Sequence, residues 1–294
     1  MSEACKSCSH GSSCSDEMKE NCEGKSPEQI ALEENLGRVK NKLVVLSGKG
    51  GVGKSTVAAN IAMSLAQEGK KVGLLDVDVH GPSIPRLLGL QGKQPQVVGE
   101  SRMEPVQWER NLWVMSLGFL MPNDSEAVIW RGPMKIGVIR QFLAQTDWGE
   151  LDYLVIDCPP GTGDEPLTVM QLLGPEAQAV VVTTPHMLSV DDVRRSITFV
   201  GHVGGRMLGV VENMSGFVCP DCGKQHEIFS SKGGEKLAAE MGVPFLGRIP
   251  MDPELARAGD EGFNYGKVFP DTETAKAMRA VIEPILQFTG EKAA

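Results

Sequence analysis

The chain has few of the features that commit a protein to a membrane, to nucleic acid or to a disulfide scaffold. No stretch approaches the roughly 20 consecutive apolar residues that span a bilayer, and the opening MSEACKSCSHGSSCSDEMKE has no basic stretch followed by an apolar run. That opening reads as neither a secretory signal nor a membrane anchor, so the expected location is the cytoplasm and no membrane partner is expected. Net charge is −9, and no run of Lys and Arg offsets it locally. Phosphate backbones are held by cationic surfaces that release counterions, so nucleic acid is not an expected partner. Cysteine is scarce, at 7 in 294 residues, and six of the seven fall in two clusters, with Cys158 alone elsewhere. Where thiols stay reduced, clustered cysteines point to metal more often than to disulfides, and an odd count leaves one unpaired in any full disulfide scheme.

What is present is a chain that is 41% hydrophobic, enough for a substantial core. Residues 1 to about 38 are polar and rich in Ser and Glu, apart from the helix-like SPEQIALEENLGRV, and read as a cysteine-bearing tail with little core of its own. A single domain is expected over 39–290. In it KLVVLS, KKVGLLDVD, LWVMSLGF, DYLVID, QAVVVTT, MLGVVEN and PFLGRIP alternate with helix-length segments. Continuous apolar runs suit strands buried on both faces, and the intervening helices supply the crossovers of a parallel sheet. The fold class is therefore α/β, a doubly wound and mostly parallel sheet, with ligands expected at the carboxyl ends of the strands. No internal repeat is present. The stretch at about 214–229, which holds CPDC, reads as a loop, and a last helix is expected over 272–287.

Directly after the first strand comes GKGGVGKST, followed by the helical run VAANIAMSLAQEG. This is the complete G-x-x-x-x-G-K-[ST] pattern between a strand and a helix, where backbone N–H groups converge on phosphate oxygens. Gly48, Lys49, Gly50, Gly51, Val52, Gly53, Lys54, Ser55 and Thr56 are thus candidate nucleotide-binding residues. Lys54 is placed to reach the outer phosphates, and Ser55 to present its hydroxyl to Mg2+. A plain tight turn would leave Lys54 and Ser55 unexplained. Asp76 and Asp78, spaced i, i+2 in LLDVDVHGPS, share one side of an extended chain as it leaves the sheet. Asp157 ends the apolar run of DYLVIDCPPGTGD, a usual place for a carboxylate that meets Mg2+, and the stiff Pro-Pro-Gly turn beyond it looks like a switch II segment. Helix capping or a solvated loop is the plainer reading of either Asp76 or Asp78 alone.

Lys49, at the second position of the loop, gives the motif a resemblance to the deviant P-loop ATPases, the class of septum-site, plasmid-partition, nitrogenase-iron-protein and arsenical-pump families. The resemblance implies that Lys49 reaches across a homodimer interface to the partner's nucleotide. It also implies that Asp78 positions the attacking water and Asp76 belongs to the Mg2+ shell, and that Asn213 and Pro250 meet the adenine base. Lys49, Lys54 and Asp78 are then the candidate catalytic residues.

Cys219 and Cys222 have the C-x-x-C spacing that aims two thiolates at one metal, but this is half a site, because zinc and 4Fe-4S clusters usually take four ligands. A homodimer supplies the other half by two-fold symmetry; a zinc site completed by His226 or the tail is the competing reading. The P-loop, DVDVHGPSIPRLLG, IWRGPM, DCPPGTGDE and ENMSGFVCPDCGK together resemble the Mrp/ApbC branch of the class. That resemblance implies an ATP-dependent carrier or scaffold with a 4Fe-4S cluster bridging two subunits, a cluster donor, apo iron–sulfur proteins as recipients, and slow ATP hydrolysis. Cys5, Cys8, Cys14 and Cys22 offer ligands for a second site. They follow the last three positions of the N-terminal cluster motif of the family's eukaryotic cytosolic members, with Cys22 in place of the first, and a cluster, zinc or no metal there all stay open. Two other functions compete: a spatial-organising ATPase, and an ATP-dependent electron-transfer protein.

Overall fold

Strand β1, Val39–Ser47, runs through the centre of an eight-stranded sheet, flanked by β7, Leu151–Asp157, and β8, Ala177–Thr183. The structure, a computed structural model, describes residues 25–79, 81–99, 102–121, 132–219, 222, 224–228 and 232–287. Besides these three strands the sheet contains β2, Val72–Asp76; β5, Val106–Glu109; β6, Leu112–Ser116; β9, Arg206–Glu212; and β12, Phe245–Arg248. Their order is β12-β9-β8-β1-β7-β2-β6-β5, and every neighbouring pair is parallel except β5 with β6. The doubly wound, mostly parallel sheet expected from the apolar runs is the fold observed, and each run supplies one of its strands. The edge strand β5 and a separate ribbon of β3, Gln96–Val98, and β4, Arg102–Glu104, were not among those runs. They are short and half exposed, so burial imposes no continuous apolar pattern on them.

Helices cover both faces. Helix α2, Lys54–Gln67, buries Val57, Ala58, Ala59, Ile61, Ala62 and Leu65, and its alanines let it lie close to the sheet. The others used below are α4, Gly132–Gln145; α5, Asp164–Leu173; α6, Met187–His202; and α7, Gly233–Met241, after the single turn α3, Ile84–Leu87. The chain closes with α8, Pro253–Glu261, the short α9, Tyr265–Val268, and α10, Glu273–Gln287. Met278, Val281, Ile282 and Ile285 of α10 are buried, so the apolar face of this last helix is committed to the core. Among the described residues no helix is long and apolar enough to cross a membrane.

The stretch expected to be a loop contains a small antiparallel hairpin, β10, Phe217–Val218, with β11, Gln225–His226. Two-residue strands carry no periodicity of their own, which is why the sequence reads as irregular there.

The helical stretch inside the expected tail forms α1, Pro27–Gly37, started by a capping box between Ser26 and Gln29. It docks on α4. Asn35 donates through Nδ2 to the carbonyls of Leu143, at 2.7 Å, and Thr146, at 2.8 Å, and Leu36 joins the core. Asn35→Ala would leave two carbonyls without that donor in a buried setting, at a cost of about 1–3 kcal/mol. Urea unfolding should show this loss while nucleotide affinity stays at the wild-type value; unchanged stability would show that the Asn35 hydrogen bonds contribute nothing to the docking of α1.

Candidate functional site

The parallel register places two carboxylates, Asp76 and Asp157, at the carboxyl rim of the sheet. Val45 of β1 and Asp76 of β2 both pair with Asp157 of β7, and Asp76 pairs in turn with Ser116 of β6. Beyond Ser47 the chain turns through Gly48–Thr56 into α2. Gly53, with φ +76°, is the residue before the helix, and a Cβ there would lie 2.2 Å from Asn213 Nδ2. A side chain is excluded both by the backbone and by its neighbour. Helix α2 begins without a side-chain cap, so its first N–H groups stay open to an anion. Lys49, Gly50, Lys54, Ser55, Asp78 and Pro160 are among the residues lining a cavity of about 270 Å3.

Lys54 is buried, and its Nζ donates to Asp157 Oδ1 at 2.5 Å and to Ser55 Oγ at 3.2 Å. Burial pulls the Lys54 pKa down, but the Asp157 carboxylate more than offsets this and the net shift is upward. Asp157 is itself raised, by burial, against the pull of Lys54. Asp76 is wholly buried; its Oδ1 accepts from the Asp78 N–H at 3.0 Å, and its Oδ2 from Ser116 Oγ at 3.0 Å and the Ile84 N–H at 3.3 Å. Burial, with the Asp157 carboxylate beside it, pushes Asp76 up to about 8. Cys158 is fully buried and its thiol is pushed upward by that burial, which makes it an unreactive part of the core.

Asp157 Oδ2 is buried and has no hydrogen-bond partner among the described residues. An open carboxylate oxygen with the Ser55 hydroxyl nearby is a hard-oxygen donor set that fits Mg2+. Asp76 differs, since both of its oxygens already accept hydrogen bonds. Ser116, which holds Asp76, was missed in the sequence; it ends the LWVMS run at the same rim, and the rule that strand ends carry the site would have found it. A second missed contact is Lys135 with Glu165, 2.9 Å apart, which joins the first turn of α4 to that of α5 just after the switch-like segment.

Two nucleotide assignments are placed differently. Asn213 reaches the loop, donating through Nδ2 to the Val52 carbonyl at 2.9 Å. Pro250 lies outside the loop cavity and lines another of about 450 Å3, with Met251, Tyr265, Phe269 and Thr274 among its walls. Cys219 and Cys222 sit at the turn of the β10–β11 hairpin, the first partly exposed and the second exposed, with the Cys219 N–H donating to the Lys224 carbonyl at 3.0 Å. Among the described residues no group of three or more His, Cys, Asp and Glu is placed to hold a metal ion, and His226 does not form one with Cys219 and Cys222. Cys5, Cys8, Cys14 and Cys22 lie outside the described residues.

The raised Asp76 pKa fixes a sign for stability without metal or nucleotide. Between 3.8 and about 8 the folded chain keeps a proton that the unfolded chain has released. Unfolding free energy therefore falls as pH rises through that window and levels off above it. Urea titrations in EDTA across this range should show the decline, and Asp76→Asn should flatten it; an identical slope in the variant would show that Asp76 does not titrate there.

A family model described as a NUBPL iron-transfer P-loop NTPase, of ParA type, matches residues 38–286. A cytosolic Fe-S cluster assembly factor NUBP2 from Bos taurus is 49% identical over 259 residues, covering 87% of this chain and 95% of the relative. An iron-sulfur cluster carrier protein from Methanocaldococcus jannaschii is 45% identical over 283 residues, covering 96% and 95%. Among solved structures, a nucleotide-binding protein from Archaeoglobus fulgidus in complex with ADP is 40% identical with a TM-score of 0.71, covering 84% of this chain and 98% of that one. The cell division ATPase MinD of Pyrococcus furiosus, at 25% identity and a TM-score of 0.62, covers 84% and 99%. The resemblance to the Mrp/ApbC branch thus holds along nearly the whole domain, and the chain belongs to the family of NUBPL iron-transfer P-loop NTPases.

Proposed function

We propose that the chain is an ATP-dependent carrier of iron–sulfur clusters that works as a homodimer, takes a 4Fe-4S cluster from a donor between the Cys219 and Cys222 pairs of two subunits, and passes it to apo-proteins. The observation that carries this reading is the hairpin. It presents two thiols at a tip, and among the described residues no group of three or more metal-ligating side chains forms there; a two-fold axis would bring four sulfurs to one cluster. The names of the carrier and assembly-factor relatives support the same cargo.

In this reading ATP lies with its phosphates along Lys49–Thr56. The α2 N–H groups and Lys54 bind the outer phosphates, and Asp78, at the cavity wall, orients the attacking water. Mg2+, held by Ser55 and Asp157 with Asp76 behind them, supplies charge neutralisation when bound. Lys54 holds Asp157 in place and opposes the upward pull of burial on its carboxyl, and Ser116 keeps Asp76 in place. Lys49 reaches the partner subunit's nucleotide, so ATP and cluster are held at one interface. The base occupies the cavity lined by Pro250, with Asn213 at the edge of the loop. Hydrolysis is slow, because a switch needs residence time. The chain acts in the cytoplasm, and the N-terminal cysteines offer a second metal site.

Iron, acid-labile sulfide and zinc should be measured on anaerobically reconstituted protein. Equal iron and sulfide in the wild type, falling at least about tenfold in Cys219→Ser/Cys222→Ser, is the expected result, since removing thiolates removes the ligands. Zinc without sulfide, or iron indifferent to the double substitution, would overturn the carrier reading. Any iron lost only on deleting residues 1–24 belongs to the tail.

A further inference from the structure

The residue before Asn213 is a carboxylate in a place where a charge is costly. Glu212 ends β9 and is fully buried. Its Oε1 accepts from the Ser215 hydroxyl at 2.6 Å, and Arg248 Nε lies 3.5 Å away; its Oε2 accepts from the Gly234 N–H at 2.7 Å. Gly234 is the second residue of α7, and a Cβ there would come within 3.1 Å of Glu212 Oε2 and 2.8 Å of Thr183 Cγ2. The carboxylate is thus enclosed by three elements and fully engaged, as a buried anion must be.

Its partners define a short strap between the two halves of the proposed site. Asn213 is pinned on one side, its N–H to the Thr183 carbonyl at 2.8 Å and its side chain to Val52 of the nucleotide loop. Met214 then takes φ +55°, a left-handed conformation that a non-glycine residue adopts only where its surroundings impose it. The Ser215 hydroxyl on Glu212 closes that turn. Next the Ser215 N–H donates to the Ile249 carbonyl at 2.9 Å, the Met251 N–H to the Gly216 carbonyl at 2.8 Å, and Phe217 bridges Met251. Phe217 is already the first residue of the hairpin, and Cys219 follows two residues later.

We propose that Glu212 is a positioning residue that locks the 213–216 strap, so that nucleotide at the loop changes how firmly Cys219 and Cys222 hold their iron. The inference rests on the carrier reading for the cargo and adds the route by which the nucleotide acts on it. Asn213 senses the loop through Val52, the strained turn at Met214 transmits its displacement, and Glu212 is the fixed point against which the turn moves. Without that anchor the strap absorbs the displacement locally and the hairpin does not feel it.

The test uses the full chain, anaerobically loaded with iron and sulfide, and follows iron release to a chelator with and without Mg-ATP in the wild type, Glu212→Gln and Ser215→Ala. Glu212→Gln keeps the shape but replaces an acceptor by an amide; Ser215→Ala removes one donor and keeps the buried charge paired with Gly234 and Arg248. The wild-type release rate should change by about fivefold or more with Mg-ATP, the lower end of ordinary coupling between sites. In both variants the ratio should fall towards one, with iron content and ATP affinity close to wild type, a pattern that mere loss of stability would not produce. A wild-type ratio retained in the variants, or no nucleotide effect in the wild type, overturns the inference while leaving the carrier reading intact. Wild-type iron that does not depend on Cys219 and Cys222 overturns both. If Glu212→Gln fails to fold, Ser215→Ala decides alone.

Discussion

The buried pairing of Lys54 with Asp157 is the interaction on which the rest of the site depends. An ammonium and a carboxylate removed from water are stable only together, and the loss of one leaves an uncompensated charge in the core. Here the pair also fixes geometry. Asp157 is held at the end of β7 by parallel pairing on both sides, so Lys54 must enter the sheet rim at that level, and α2 must start where its first N–H groups face the same cavity. Asp76 adds a second carboxylate at the same level, and its raised pKa reflects its burial first and the Asp157 carboxylate beside it second.

The nucleotide loop and the cysteine hairpin are neighbours in the fold although they stand far apart in sequence. Val52 and Cys219 are joined through Asn213 and a few strap residues, themselves laced to Ile249–Met251. The hairpin offers two ligands, and the loop carries Lys49 at the cavity wall. In the proposed homodimer one operation, a two-fold axis, would complete both sets. On that proposal cluster and nucleotide would share one interface, and coupling between them would follow from assembly.

Much of this was legible in the sequence. Seven strands showed as apolar runs because the central ones are buried on both faces, and the phosphate loop showed because its glycines, lysine and serine have no other joint use. Roles that arise from register were not legible. Ser116 matters because β6 lies beside β2, Glu212 because β9 ends against α7 and β12, and Asn35 because its amide meets carbonyls more than a hundred residues away. The hairpin was hidden for a different reason: two strands of two residues leave no pattern to read. Asp76 and Asp157 were both legible as Mg2+ candidates; not legible was that the Asp76 oxygens are engaged by Asp78, Ser116 and Ile84 while Asp157 Oδ2 has no partner among the described residues.

Native mass spectrometry of the reconstituted protein, lacking residues 1–24 and held with Mg-ATP, tests the shared-site claim most directly. A two-chain species carrying the mass of a single 4Fe-4S cluster, reduced to apo-protein in Cys219→Ser/Cys222→Ser, is the result that two half-sites on one axis require. A cluster or metal ion carried by each separate chain would contradict it.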